Sequence, residues 1–386
     1  MLDNRLAAIG LGLAWSLLIS SAQAAQSYKS VEHSYVLETV VEGLQTPWSM
    51  AWLPSGEMLV TEREGSLYRV RDGKLSQAIA GVPAVLAKGQ GGLFEVLVHP
   101  NFADNQLIYL SYAKPMGDSA TTAVLRGRLV DSTLTDIEEI FVSQTEGKGH
   151  YGGRLVFDQA GFLYVTIGDR QASPSGDLAA HPSQDRSNHH GVVVRLQADG
   201  TVPADNPFVG DDTGLDEIWS YGHRNPQGLA VHPQTGALFS GEHGPQGGDE
   251  INIVEPGKNY GWPVIGYGVN YGMGTPIHAS QSDGTMEQPA HYWVPSIATA
   301  GLAIYSGDKF PRWQGNVFVG GLRGQQLARV VLDKDGQNGV YEETLLTGYG
   351  RIRDVRQGPE GYLYVAVESP GRVVRIMPAG QSIAKH

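Results

Sequence analysis

Three short segments of this chain gather the residue types that could do chemistry. In the first, Lys148-Gly149-His150-Tyr151-Gly152-Gly153-Arg154, a histidine stands among glycines that leave room for a ligand. An imidazole can act as a general base near neutral pH. The chain has 12 histidines, and most histidines serve in surfaces or cores, so His150 gains weight only from its company. In the second segment Arg224 and Asn225 stand just before a turn proline, Pro226. A guanidinium beside an amide can bind carboxylate or carbonyl oxygens with directional bonds. A solvated arginine and a turn asparagine fit the same two residues equally well. The third segment runs from Glu242-His243-Gly244-Pro245 to Asp249-Glu250 and joins flexible backbone to adjacent carboxylates. Calcium takes roughly six to eight oxygen ligands, many of them backbone carbonyls. Glycine and proline there could aim successive carbonyls at one ion. Arg351 and Arg353 alternate, which in a strand puts both on one face. Inside a channel such a pair could hold a polycarboxylate.

These segments need a frame that brings distant positions together, and a repeat supplies it. A short alternating apolar run, a polar turn with Gly or Pro, and a second run recur along the chain. The paired runs are 48–53 with 58–60, 93–98 with 107–110, 153–157 with 163–167, 228–231 with 237–239, 301–305 with 317–319, and 352–355 with 362–367. Alternation with period two marks strands with one buried face, and paired runs read as hairpins. Further strands are legible at 66–70 and 372–376. Six such units of about 60 residues suit the blades of an all-β, six-bladed β-propeller better than a sandwich. Loops from all blades meet at the mouth of a propeller, so functional residues are expected there.

Composition agrees. Of 386 residues, 41% are hydrophobic and 18% charged, enough for a sizeable core. The 51 glycines and 21 prolines point to many tight turns. The net charge of -12 repels phosphate backbones, so no nucleic-acid partner is expected. The absence of cysteine excludes disulfides, zinc-thiolate sites and thiol nucleophiles. Arg5, the apolar run 6–19 and Ala22-Gln23-Ala24 predict a cleaved signal peptide over residues 1–24. The mature chain, 25–386, is then one propeller domain in a periplasmic or extracellular space, with no membrane span. It is expected to work as a monomer or homodimer.

Taken together, these residues resemble the soluble quinoprotein glucose/sorbosone dehydrogenase family, and within it the bacterial aldose sugar dehydrogenases. The markers are Gly89-Gln90-Gly91-Gly92-Leu93, His150 with Gly152-Gly153-Arg154-Leu155, Tyr221-Gly222-His223-Arg224-Asn225-Pro226-Gln227-Gly228, Glu242-His243-Gly244-Pro245, Asp249-Glu250-Ile251-Asn252, Asn259-Tyr260-Gly261-Trp262-Pro263 and Arg351-Ile352-Arg353-Asp354-Val355. The resemblance implies pyrroloquinoline quinone (PQQ) and calcium as cofactors, an aldose as substrate and an external electron acceptor. It implies that His150 is the base that takes the C1 hydroxyl proton of the sugar. It places Gln90, Arg224, Asn225 and Tyr271 on the cofactor, with Arg351 and Arg353 on its carboxylates. The Gly244 and Pro245 carbonyls would hold the cofactor calcium, and Glu250 and Tyr260 a second, structural one.

Two positions depart from the family pattern. Some members carry an acidic residue just before the base, where this chain has Gly149. Some place a lysine on the cofactor, where this chain offers Arg323. No glycine-rich dinucleotide fingerprint stands in a βαβ context, so NAD is not supported. The competing readings are a calcium-dependent lactonase or esterase built on the same fold, and a non-catalytic binding propeller.

Overall fold

The computed structural model describes residues 26–380. Their strands form six antiparallel sheets, five of four strands and one of five. Each sheet is a blade. The first strands of the six repeats, Pro47–Trp52, Leu93–Val98, Leu155–Phe157, Pro226–Val231, Thr299–Ile304 and Ile352–Gln357, pack against one another in a ring around the channel. The propeller expected from the repeat is therefore present, with third and fourth strands completing each hairpin unit. Most second strands are buried at every position, because every blade packs between two others. Val192–Leu196, with the sequence VVVRL, is buried at every position. The ring closes where Ser34–Leu44 pairs with Gly371–Pro378, so both ends of the described span share one blade.

The inner strands begin irregularly, and that shapes the mouth of the channel. Five of them show a register shift within their first residues: Pro47/Ser49, Leu93/Val96, Pro226/Gly228, Thr299/Leu302 and Ile352/Asp354. A bulge re-aims the side chains beside it. The third inner strand starts at Leu155 rather than at 153. Gly152 and Gly153 hold φ at +64° and +94°, and a Cβ on Gly152 would lie 2.5 Å from the Thr166 carbonyl oxygen. The chain is thus turned and pressed against its own hairpin just after His150.

Deeper in the channel an ionic hub joins five blades. Arg154, fully buried, donates to Glu95 at 3.0 Å, to Asp354 at 2.8 Å and to the carbonyls of Gln227 and Arg353 at 2.6 and 3.0 Å. Its guanidinium lies 4.1 Å from the centre of the Trp48 ring. Arg356 reaches both carboxylates from the other side. Ser49 donates a short hydrogen bond to Glu95, and the Met50 N–H donates to Asp354 at 3.0 Å. Removing one member of such a network leaves the others charged and buried. Arg154→Ala is accordingly expected to cost about 3–5 kcal/mol of stability, read as a lowered urea midpoint.

Candidate active site

His150 sits where the chain enters the third blade. Its backbone is left-handed, φ +47°, which a residue with a β-carbon adopts only when its surroundings hold it there. Its N–H donates to Gln90 Oε1 at 2.7 Å. Its ring Nδ1 lies 2.6 Å from Asp169 Oδ1. Asp169 follows Leu163–Ile167, the strand that runs back antiparallel to Leu155–Phe157, so the hairpin carries it opposite the histidine. Its position is fixed three further ways, two of them on the carboxylate. Gln171 N–H donates to Oδ1 at 2.9 Å, the Trp262 indole donates to Oδ2 at 2.8 Å, and the Asp169 N–H bonds the Arg224 carbonyl at 2.8 Å.

The protonation states follow from this geometry. Burial lowers the His150 pKa, the Asp169 hydrogen bond and charge push back, and Arg224 and Arg170 lower it further; the net result lies below the usual histidine value. Against its own burial, Asp169 is held below the usual carboxylate range by His150 and by Arg224. The neutral imidazole then donates its Nδ1 proton to Asp169, leaving Nε2 as a hydrogen-bond acceptor. Gln90, His150, Asp169, Arg224, Trp262 and Tyr271 line one cavity of about 440 Å³, within the size range of small-molecule sites. Tyr271 stands at its rim, 62% exposed. Asp169 is thus the acidic group that holds His150, and at 149, directly before it, a side chain would meet Gln171 at 2.6 Å.

Arg224 forms another wall. Its guanidinium lies 5.1 Å from the Trp262 ring centre, and Nη1 donates to the Gly244 and His243 carbonyls at 2.7 and 3.1 Å. Its Nε is buried with no partner. Behind it a second cavity of about 20 Å³, room for one water-sized guest, is lined by Glu242, Gly244, Pro245, Glu250 and Tyr260 among others. All four residues expected on calcium therefore border one small space. Glu242, to which the sequence reading gave no role, joins them. Asn252 Nδ2 donates to both carboxylates, at 2.6 Å to Glu242 and 3.1 Å to Glu250. Burial, then the Glu242 charge, raises Glu250 well above the usual carboxylate range. Asn252 Oδ1 and the Nε2 atoms of His243 and His278 are buried without partners. A buried and a half-buried carboxylate, nearby carbonyls and orphaned polar atoms fit a cation.

The other expected residues lie outside the larger cavity. Asn225 is buried, and its Oδ1 accepts from Gly152 N–H at 3.1 Å, which ties it to the loop that carries His150. Arg353 is buried and donates to Gln227 Oε1 at 2.7 Å. Arg351 and Arg353 converge on Glu368, at 2.6 Å in each case, so a ligand carboxylate would have to join or displace that group. Arg323 is exposed. Asp169 and Trp262 were not singled out as site residues from sequence. The sequence shows Gly168-Asp169 directly after a predicted strand, but not that the hairpin sets Asp169 opposite His150. The expected signal peptide lies outside the described residues. Among those described, no helix is long and apolar enough to cross a membrane.

A histidine held by an aspartate beside a cavity is an arrangement that can act as a general base. Residues 44–375 match the family described as Glucose / Sorbosone dehydrogenase. The aldose sugar dehydrogenase of Escherichia coli strain K12 is 43% identical over 352 residues, covering 89% of this chain and 92% of that protein. The solved apo form of the Escherichia coli enzyme superposes with a TM-score of 0.82 at 42% identity, covering 89% of this chain and 99% of the other. The PQQ-bound aldose sugar dehydrogenase of Streptomyces coelicolor superposes with a TM-score of 0.73 at 28% identity, covering 89% and 98%. This chain belongs to the glucose/sorbosone dehydrogenase family and is an oxidoreductase acting on sugars.

Proposed function

We propose that this chain is a PQQ- and calcium-dependent dehydrogenase that oxidises the C1 hydroxyl of aldoses to lactones and passes the electrons to an external acceptor. The observation that carries the reading is the Asp169–His150 pair opening into a cavity walled by Arg224. Bound PQQ with its calcium supplies an electrophilic two-electron acceptor for the C1 hydride. His150 Nε2 takes the C1 hydroxyl proton as the C1–H bond breaks and the C1–O double bond forms. Asp169 holds the imidazole in the accepting tautomer and stabilises it once protonated. Arg224, with its free Nε, faces the cofactor, and Gln90 holds the base loop beside it. Arg351 and Arg353, supported by Arg323, take the cofactor carboxylates, and Asn225 braces the loop that carries the base. The Gly244 and Pro245 carbonyls and the Glu250 carboxylate serve calcium, with Tyr260 beside them. The chain is exported, with cleavage after residue 24.

A calcium hydrolase on this fold would need carboxylates free for a central cation. Here Glu95 and Asp354, the carboxylates of the hub, are taken by Arg154 and Arg356. The test is reconstitution of metal-free protein with PQQ and calcium, followed by dye reduction across a panel of sugars. Turnover should require both additions and extend beyond glucose to other aldoses and to disaccharides such as maltose. Full-rate dye reduction in EDTA without PQQ would sink the proposal. Activity confined to one monosaccharide would refute the substrate breadth.

A further inference from the structure

Behind the base lies a buried cation with no role in the scheme above. Arg170 follows Asp169 directly and is only 7% exposed. Its Nη1 donates to the His150 carbonyl at 2.8 Å and, at 3.5 Å, to that of Gly168. Its Nε donates to the Thr145 carbonyl at 3.2 Å, and Nη2 to Thr122 Oγ1 and Ser143 Oγ at 2.9 and 3.3 Å. All five acceptors are neutral. Among the described residues no carboxylate lies in ion-pair contact with Arg170, and the adjacent Asp169 is turned to His150 and Trp262. A buried charge without a counterion is costly and calls for a reason. Burial pushes Arg170 down to about 10, so it remains a cation at neutral pH.

Two observations locate that reason at His150. The histidine backbone is held left-handed from both sides, by Gln90 on its N–H and by Arg170 on its carbonyl. The chain is also thinned to let these groups meet. A Cβ on Gly147 would stand 2.8 Å from the Arg170 Cβ, and one on Gly168 would stand 2.2 Å from the His150 carbonyl oxygen. Thr122, Ser143 and Thr145 belong to the outer strands of the second blade, Ser119–Val130 and Thr133–Gly147. Arg170 therefore anchors the base loop of the third blade to its neighbour.

We propose that Arg170 is a positioning residue for the base: its buried guanidinium pins the His150 main chain in the left-handed conformation and sets a positive charge behind the imidazole. The inference rests on His150 being the base. The charged and titratable groups around the imidazole are Asp169, Arg224, Arg170 and, further off, His243. Tyr151 and His190 face Arg170 from its other sides. Asp169 favours the protonated ring, while the two arginines oppose it. Without Arg170, His150 should hold its proton to higher pH and the reacting nitrogen should lose its fixed place.

The test uses full-length Arg170→Met and Arg170→Lys with PQQ and calcium, measuring kcat and KM against pH. It adds a nitrogen-15 histidine NMR titration of the cofactor-free proteins, with His150→Gln to assign the signal. Arg170→Met should lower kcat on the high-pH plateau by roughly 10- to 100-fold with KM little changed. Its acid limb and its His150 titration should both move up in pH, because Arg170 opposes the protonated ring. Arg170→Lys should keep the limb in place and recover part of kcat. A methionine variant with wild-type kcat per folded molecule and an unmoved limb would reduce Arg170 to a structural residue. If that variant does not fold, wild-type kcat in Arg170→Lys would overturn the proposal instead. Absence of any PQQ-dependent turnover in the wild type would defeat the proposed function, while the NMR titration would still decide Arg170.

Discussion

His150→Ala should lose about 100- to 10,000-fold in sugar-dependent turnover and still bind PQQ. The structure separates the two tasks. His150 is anchored by Gln90, Asp169 and Arg170, all within the base loop and its supports. The cationic groups suited to carboxylates, Arg351 and Arg353, sit on another blade and meet at Glu368. Truncating the histidine removes the proton acceptor and leaves those arginines untouched. Arg353→Ala should do the reverse, since it deletes a charge-assisted contact to a carboxylate. PQQ titration of both variants, with turnover measured at each point, tells them apart. Excess PQQ should partly rescue Arg353→Ala and leave His150→Ala inactive. If saturating PQQ brought His150→Ala near the wild-type rate, the histidine would be a binding residue and the base would lie elsewhere. In the wild type the rate should hold to a pH below the ordinary histidine range, because burial depresses the His150 pKa. It should then fall as acid protonates Nε2.

The parts of this site that were legible in the sequence are those that stand at strand starts. Gln90, His150 and Arg224 each stand a few residues before an inner strand, and the six-fold repeat requires inner strands to converge. Those three meet at one cavity, with Tyr271 reaching it from a long loop. What stayed hidden were the partners carried across a hairpin. Asp169 lies nineteen positions from His150 in the chain yet 2.6 Å away in space. Glu368 reaches Arg351 and Arg353 because Leu363–Glu368 runs back along Ile352–Gln357. Single-residue alternation identifies a strand and its faces, but it does not say which residue of the return strand stands opposite. The bulge between Ile352 and Asp354 adds to this. Arg351 and Arg353 read as equivalent in an ideal strand, yet Arg351 is largely exposed and Arg353 buried. Asn225 shows a contact of the same hidden kind: its side chain oxygen accepts from Gly152 N–H across 73 positions of chain.

Asp169→Asn should cost nearly as much as removing the base, again about 100- to 10,000-fold, although the change is almost isosteric. The wild-type carboxylate accepts from three donors: His150 Nδ1 and Gln171 N–H on Oδ1, and the Trp262 indole on Oδ2. An asparagine offers only one oxygen. If that oxygen faces Trp262, the amide NH2 confronts the Gln171 N–H, and His150 must accept at Nδ1 and carry its proton on Nε2. The ring is then in the wrong tautomer to take a proton from the sugar. If the oxygen faces His150, the NH2 meets the Trp262 indole, and two buried donors oppose each other at a cost of about 1–3 kcal/mol. The pH dependence gives an independent sign. The Asp169 hydrogen bond and charge raise the His150 pKa against burial and against both arginines. Losing them should move the acid limb to lower pH, opposite to the shift expected for Arg170→Met. Stability should respond in the direction that Asp169 itself requires. A carboxyl held below its unfolded pKa stabilises the fold above that value, and the contribution is lost as pH falls through the folded pKa. Asp169→Asn should therefore be less stable than wild type at neutral pH, and the gap should narrow in acid. Rate profiles and urea midpoints across pH check both statements. An Asp169→Asn enzyme that kept the wild-type plateau rate would show that His150 is oriented by its backbone anchors alone.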